Sequence, residues 1–111
     1  MNAKVPSDLL RGHTDTIVLN ILMKGDSYGY QIHKTILGKT GEQFELKEAT
    51  LYSSYRRLEQ GGYIEAYWGD ESQGGRRKYY RITEKGKELY RQNKAEWEFS
   101  QRILNKLLEE E

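Results

Sequence analysis

The chain has 111 residues, 36% of them hydrophobic and only one a proline, so it is long enough for one folded domain and is not composed like a disordered segment. It contains no cysteine, which excludes disulfide bridges and thiolate metal sites. The 18 basic and 17 acidic residues leave a net charge of +1, so a polyanionic partner would have to be met by a local basic patch. The absence of a leader-like or membrane-length apolar run predicts a soluble cytoplasmic protein.

Two helices are predicted in the first forty residues. Ser7 can cap a helix that runs to about Gly25 and carries the apolar stripe Leu9, Leu10, Ile17, Val18, Ile21 and Leu22. A second helix is predicted from a cap at Ser27 to Gly38, because an apolar face recurs every four residues at Tyr28, Ile32 and Ile36.

The stretch "LKEATLYSSYRRLEQGG" predicts a third helix from about Lys47 to Gln60, closed by two glycines. At about 100° per residue, one face carries large apolar groups for packing, namely Leu51, Tyr55 and Leu58. The opposite face carries small, hydroxyl and basic groups, namely Ala49, Thr50, Ser53, Arg56 and Arg57, with Tyr52 at the boundary. The two faces therefore differ in chemistry.

The periodicity then changes from helical to alternating. Alternation of apolar and polar residues predicts two short strands, Ile64 to Trp68 and Tyr79 to Ile82, paired as a hairpin. Thr83 restarts a helix with Glu84 in its first turn, and the helical pattern runs to about Leu108, a length of about 39 Å.

Three helices, a hairpin and a long last helix indicate an α+β, mostly helical fold: a winged helix-turn-helix with a two-stranded wing and a long C-terminal dimerisation helix. We expect a DNA-binding domain over residues 1–82 and a dimerisation helix over residues 83–111 that packs with the same domain. In this fold the third helix enters the major groove, where hydroxyls and arginines can bond bases or phosphates. The candidate DNA-binding residues are Lys47, Ala49, Thr50, Tyr52, Ser53, Arg56, Arg57, Gly74, Gly75, Arg76, Arg77 and Lys78.

The wing tip lies in the segment "DESQGGRRKYYRIT". Seven residues separate Trp68 from Arg76, whereas hairpin loops usually have about two to five. Two glycines let the backbone approach a polyanion, and the basic residues that follow can meet phosphates or enter a narrow minor groove. Two other interpretations stay open: Arg56 and Arg57 are solvated helix charges, or the wing cluster protects an exposed strand edge from pairing.

Three segments carry a resemblance to a known family. "DSYGYQI", "ATLYSSYRRLEQGGYI" and "GGRRKYYRITEKG" are similar to the signatures of the PadR family of bacterial transcriptional repressors, in the same order and over almost the whole chain. The single C-terminal helix resembles the compact subgroup that includes the lactococcal multidrug-binding repressor. The resemblance implies a homodimer on a palindromic operator, third helices in major grooves, wings on the flanking backbone or minor groove, and release by a small molecule.

The long helix repeats large residues at a spacing of seven, namely Tyr90, Trp97 and Leu104, with Asn93, Ser100 and Leu107 between them. Such spacing predicts a seam for another helix, which the first helix completes in a two-fold dimer. The candidate dimerisation residues are Leu9, Leu10, Leu89, Trp97, Leu104 and Leu107. From the pattern alone, Trp97 either packs a closed dimer core or faces its mate across a slot for a planar aromatic molecule.

The resemblance favours the slot, because a tryptophan at the position matching Trp97 sandwiches ligands in the multidrug-binding relative. The candidate ligand-binding residues are then Trp97, Asn93, Tyr90 and Asn20. Lys94 makes this surface more polar than the relative's lining, and it would oppose cationic drugs and favour an anionic phenolic ligand.

Enzyme, metal and cofactor signatures do not stand out. His13 and His33 lie twenty residues apart without a nearby carboxylate pair, and the glycines do not match a phosphate loop. We therefore expect a non-enzymatic regulator without a cofactor. Two alternatives remain: an orphan DNA-binding repressor without an effector, and a winged-helix module that docks another protein.

Overall fold

A computed structural model describes residues 10, 12–69 and 76–109. The elements are α1 (Thr14–Met23), β1 (Ser27–Tyr28), α2 (Gly29–Lys39), α3 (Glu48–Gln60), β2 (Ile64–Gly69), β3 (Arg77–Ile82) and α4 (Glu84–Leu107). Within the described residues the strands form one antiparallel sheet in the order β1-β3-β2. This mostly helical arrangement confirms the predicted winged helix-turn-helix class.

The start of α2 differs from the prediction. Ser27 does not cap a helix; it lies in β1 opposite Tyr80 of β3, and its buried side chain donates a hydrogen bond to Gln31 Oε1 at 2.7 Å. Helix α2 instead begins at Gly29, with Tyr28 as its N-cap and no side-chain cap. A two-residue strand is too short to leave an alternating pattern in the sequence, so the third strand was missed. The predicted cap at Ser7 lies outside the described residues.

The core lies where the three short helices meet the inner face of the sheet. Each large apolar side chain buried there contributes about 1.5–3 kcal/mol through its removal from water. The buried apolar residues are Val18, Leu19, Leu22, Ile32, Ile36, Phe44, Leu46, Leu51, Tyr55, Leu58, Ile64 and Tyr80. The predicted packing face of α3 is thereby confirmed.

The alternation in β2 does not keep all its large residues inside. Ile64 is buried and Ala66 is partly buried, but Trp68 on the same face is 57% exposed. The core therefore ends before Trp68, because the hairpin extends beyond the helices that cover it.

Thr83 joins the wing to α4, as its position before the helical pattern predicts. Its Oγ1 accepts a hydrogen bond from the Gly86 N–H at 3.1 Å and donates one to the Gly62 carbonyl at 2.8 Å. From this N-cap, α4 runs for 24 residues, about 36 Å. None of the described helices is long and apolar enough to cross a membrane.

The first half of α4 packs against α1 of the same chain. Tyr90 Oη donates to Asn20 Oδ1 at 2.8 Å, and Asn93 Nδ2 donates to Thr16 Oγ1 at 3.0 Å. The predicted seam is therefore divided: its first half is satisfied within the chain, and its second half, from Ser100 onward, is exposed.

Gly86 is the tightest position at this joint. A Cβ there would lie 2.1 Å from the Tyr63 carbonyl oxygen and 2.8 Å from Ile82 Cγ1. We expect Gly86→Ala to lower the free energy of unfolding by about 1–3 kcal/mol or more, because rigid backbone must move. Urea unfolding followed by circular dichroism measures this.

Gly38→Ala in α2 is the matched control. A Cβ added at Gly38 would have no neighbouring atom within 4 Å, and the helix gains about 0.5–1 kcal/mol from alanine. Equal stability of the two variants would contradict the tight joint.

Candidate nucleic-acid interface

Helix α3 presents a continuous exposed face opposite its buried side. Small and hydroxyl side chains occupy the N-terminal half of this face at Ala49, Thr50 and Ser53, and Arg56 follows about one turn after Ser53. The exposed predicted residues on α3 and at its N-cap are Lys47, Ala49, Thr50, Tyr52, Ser53, Arg56 and Arg57. The structure therefore leaves all seven of these residues exposed on one helix and its N-cap.

The inner face of α3 holds that surface in place. Tyr55 is buried, and its ring packs against Tyr80 of the sheet with centroids 4.8 Å apart. Burial raises the pKa of the Tyr55 phenol, so the side chain stays neutral at physiological pH. Its hydroxyl has no hydrogen-bond partner among the described residues. This aromatic contact fixes the helix against the strand that leads into the wing.

Arg57 makes a contact that the sequence did not predict. Its guanidinium is bidentate to Asp15 of α1, with Nη2 2.6 Å from Oδ1 and Nε 3.2 Å from Oδ2. The same carboxylate accepts a 2.6 Å hydrogen bond from Ser54, whose side chain is fully buried. The hydrogen bond to Asp15 raises the pKa of Arg57 further above its ordinary value. Arg57 thus joins α1 to α3, and its side chain stays 56% exposed next to Arg56.

The basic residues of the wing divide between the two faces of the hairpin. Lys78 pairs with Trp68 on the inner face, and its Nζ lies 3.9 Å from Glu59 Oε1 of α3. Arg77 lies on the outer face, 4.9 Å from the centroid of the Tyr28 ring. Successive side chains of a strand point to opposite faces, so the three basic residues Arg76, Arg77 and Lys78 do not form one patch. Gly74 and Gly75 lie outside the described residues.

Arg76 directly precedes β3 and is exposed, with its guanidinium carbon 5.3 Å from the centroid of the Trp68 ring. This distance is within the range of a cation–π contact. The contact brings the exposed indole into the interface, although no pattern in the sequence had singled out Trp68 for binding.

A second candidate site is a groove of about 630 Å³ between α1, α2 and α4. Three of the four predicted ligand residues, Trp97, Tyr90 and Asn20, line it, and Lys39 and Lys94 add positive charge. Trp97 is 42% exposed and meets the edge of His13, with ring centroids 4.9 Å apart. The apolar wall of the groove includes Ile17, Ile21, Ile36 and Phe44.

Asn93 lies on the other side of Trp97, in an adjacent cavity of about 360 Å³. The contribution of α2 and the following loop was missed, because residues such as Phe44 reach the groove only through tertiary packing.

The predicted dimerisation residues fall into two groups. Leu10 lines the groove and Leu89 packs against the chain's own core, so both are partly buried. Leu104 and Leu107 are 50% and 74% exposed on the second half of α4. Leu9 lies outside the described residues. The exposed pair leaves an apolar face for a neighbour to cover.

The histidines do not join a metal-ligand cluster in the described part of the chain, where no three histidine, cysteine or acidic side chains converge. His33 Nε2 lies 3.3 Å from Glu45 Oε2, and His13 packs on Trp97. Both therefore have structural contacts.

Comparison with known proteins gives a consistent result. The sequence profile described as the transcriptional regulator PadR-like family matches residues 18–92. An uncharacterized protein of Lysinibacillus sphaericus is 46% identical over 105 residues, covering 95% of this chain and 96% of that protein.

Two solved structures place the fold. A transcriptional regulator of Clostridium thermocellum is 48% identical, covers 95% of this chain and 99% of its own, and superposes with a TM-score of 0.87. PadR of Bacillus subtilis, solved in complex with operator DNA, shares the fold at 23% identity and a TM-score of 0.62, over 78% of this chain and 47% of that one.

The contact of Asp15 with Ser54 yields a stability prediction. Asp15→Ala leaves the buried Ser54 hydroxyl without its partner, so we expect a loss of about 1–3 kcal/mol in the free energy of unfolding. Arg57→Ala removes only the half-exposed ion pair, for which about 1 kcal/mol or less is expected. Urea unfolding at one fixed protein concentration compares the two variants. A larger loss for Arg57→Ala would contradict the assignment of the buried hydrogen bond as the main contact.

Proposed function

The chain belongs to the PadR-like family of transcriptional regulators, whose members are not enzymes, and we propose that it represses transcription. It would do so by binding operator DNA through α3 and the β2–β3 wing. The observation that carries the proposal is the exposed face of α3, which is small and hydroxyl-bearing in its N-terminal half and has the basic residues of the wing beside its other end.

The chemistry of this face fits a major groove. Ala49, Thr50 and Ser53 are small enough for the backbone of α3 to approach base edges, and the two hydroxyls can bond bases or phosphates. Arg56 can form a bidentate contact with guanine or phosphate. Lys47 at the N-cap is exposed and suited to a phosphate. The Bacillus subtilis protein of the same fold was solved with operator DNA, which supports DNA as the partner.

We further propose that the regulator is a homodimer on a palindromic operator. Residues 1–82 then form the DNA-binding domain and residues 83–111 the dimerisation helix. The exposed apolar side chains on the second half of α4, including Leu104 and Leu107, support this assembly, because a two-fold partner would cover them. Two α3 helices would then address half-sites about 34 Å apart.

The groove beside Trp97 supports an effector. A volume of about 630 Å³ is adequate for a small aromatic molecule. Stacking on Trp97 favours a planar ligand, and Lys39 and Lys94 favour one that carries a negative charge. The assignment to the compact multidrug-binding subgroup rests on the motif resemblance, and the two lysines restrict the drugs it would accept.

The DNA proposal predicts a salt signature. Lys47→Ala combined with Arg56→Ala removes two charges from α3, so affinity for a random-sequence duplex should fall and the log–log salt slope should become less negative by about 1.8. Fluorescence anisotropy of a labelled duplex of about 30 base pairs between about 50 and 200 mM salt measures both quantities.

Arg91→Ala combined with Lys106→Ala removes the same charge from exposed positions of α4 and serves as the control. Selection from a random duplex pool with the full chain should also enrich a palindrome. If the chain does not bind duplex DNA, or if its affinity does not change with salt concentration, it would instead be a protein-docking module.

The effector proposal predicts quenching of one indole. In a Trp68→Phe variant Trp97 is the only tryptophan, and a planar aromatic acid such as 4-hydroxybenzoic acid should quench its emission with saturation at one ligand per chain, because each chain has its own groove. Lys94→Gln should weaken binding of the acid but not of its uncharged analogue, 4-hydroxybenzyl alcohol. Sedimentation velocity measures how many chains the assembly contains. Absence of quenching by this acid and by an acridine dye would favour the orphan repressor, and a folded monomer would contradict the dimer.

A further inference from the structure

An exposed indole stands where the wing leaves the core. Trp68 lies on the same face of β2 as the buried Ile64, yet it is 57% exposed. Antiparallel partners share a face, so Lys78, its partner in β3, stands beside it on the side of α3. Both side chains therefore face the space between the recognition helix and the wing.

Positive charge surrounds this indole. The Arg76 guanidinium lies over its ring at 5.3 Å, and Lys78 Nζ reaches to 3.9 Å from the Glu59 carboxylate on α3. The Lys78–Glu59 contact shows how close the inner face of the wing is to the C-terminal half of α3. We call the three residues Trp68, Arg76 and Lys78 the wing notch.

We propose that the wing notch holds one deoxyribose–phosphate unit of the operator backbone, with the Trp68 indole against the sugar and Arg76 and Lys78 on the phosphate. The inference rests on the proposed function, which places α3 in the major groove and the wing on the neighbouring backbone or minor groove. One strand of the duplex must then pass between the two elements.

The chemistry of the notch fits this occupant and no apolar one. The flat indole can cover the C–H groups of a sugar, and its Nε1–H can donate to a phosphate oxygen. Two cations complement the charge of a phosphate, whereas an apolar protein surface would remove them from water without supplying a hydrogen-bond acceptor. The contact reads the backbone and not the bases, so it should strengthen binding to any sequence.

Glu59 gives the notch a second testable property. Its carboxylate lies 3.9 Å from the Lys78 ammonium and would face the same phosphate. Glu59→Gln would remove this competing charge while preserving the size of the side chain. Affinity for duplex DNA should therefore rise in this variant, and it should rise less when Lys78 is also replaced by glutamine.

The experiment uses the full chain and a random-sequence duplex of about 20 base pairs. In a Trp97→Phe variant the remaining emission comes from Trp68, and it should change on DNA binding and saturate with the anisotropy signal. Trp68→Ala should weaken binding to random and selected duplexes alike by about tenfold, and Trp68→Phe by less, because the aromatic face is kept. Because Trp68 is exposed, the variants should unfold at the same urea concentration as the parent.

The outcomes separate the notch from the proposed function. If Trp68→Ala binds as the parent does while the Lys47 and Arg56 double variant loses affinity, the notch is wrong and the DNA proposal stands. A loss confined to the selected duplex would show base reading and would overturn the backbone contact. If no variant and no parent chain binds duplex, both proposals fail.

Discussion

The buried hydrogen bond from Ser54 to Asp15 is the contact on which the candidate interface depends. It joins two helices through residues that are 39 positions apart in the chain, and Arg57 closes the same carboxylate from the solvent side. A carboxylate that receives both a hydroxyl and a guanidinium acts together with the buried apolar side chains of α3 to fix the rotation of this helix about its axis. This rotation decides which side chains of α3 face outward, so the binding face depends on the contact of Ser54 and Arg57 with Asp15 at the edge of that face.

The same helix α1 also carries the first half of α4, through Thr16 and Asn20. One ten-residue helix therefore touches the recognition helix on one side and lines the groove beside Trp97 on another. A molecule in that groove would press on the element that sets the orientation of α3. The candidate effector site and the candidate DNA surface are neighbours through α1, although they lie in distant parts of the sequence.

Features with local causes could be predicted from the sequence. The cap at Thr83 and the packing face of α3 depend on residues within one or two turns, and both are confirmed. Features with distant causes could not be predicted. Strand β1 forms because Ser27 pairs with Tyr80, and Arg57 pairs with Asp15, which lies 42 residues earlier in the chain. The exposure of Trp68 likewise depends on where the helices that cover the sheet end.

The joint at Thr83 has a mechanical consequence. Its backbone N–H donates to the Tyr63 carbonyl and its hydroxyl to Gly62, while Lys85 Nζ donates to Gly61, so α4 is fastened to the turn that follows α3. The first half of α4 is also held by α1, so a tilt of this joined unit by about 5° displaces the far end of the roughly 36 Å helix by about 3 Å. A small shift at the C-terminal end of α3 is therefore accompanied by a larger displacement at the exposed end of α4.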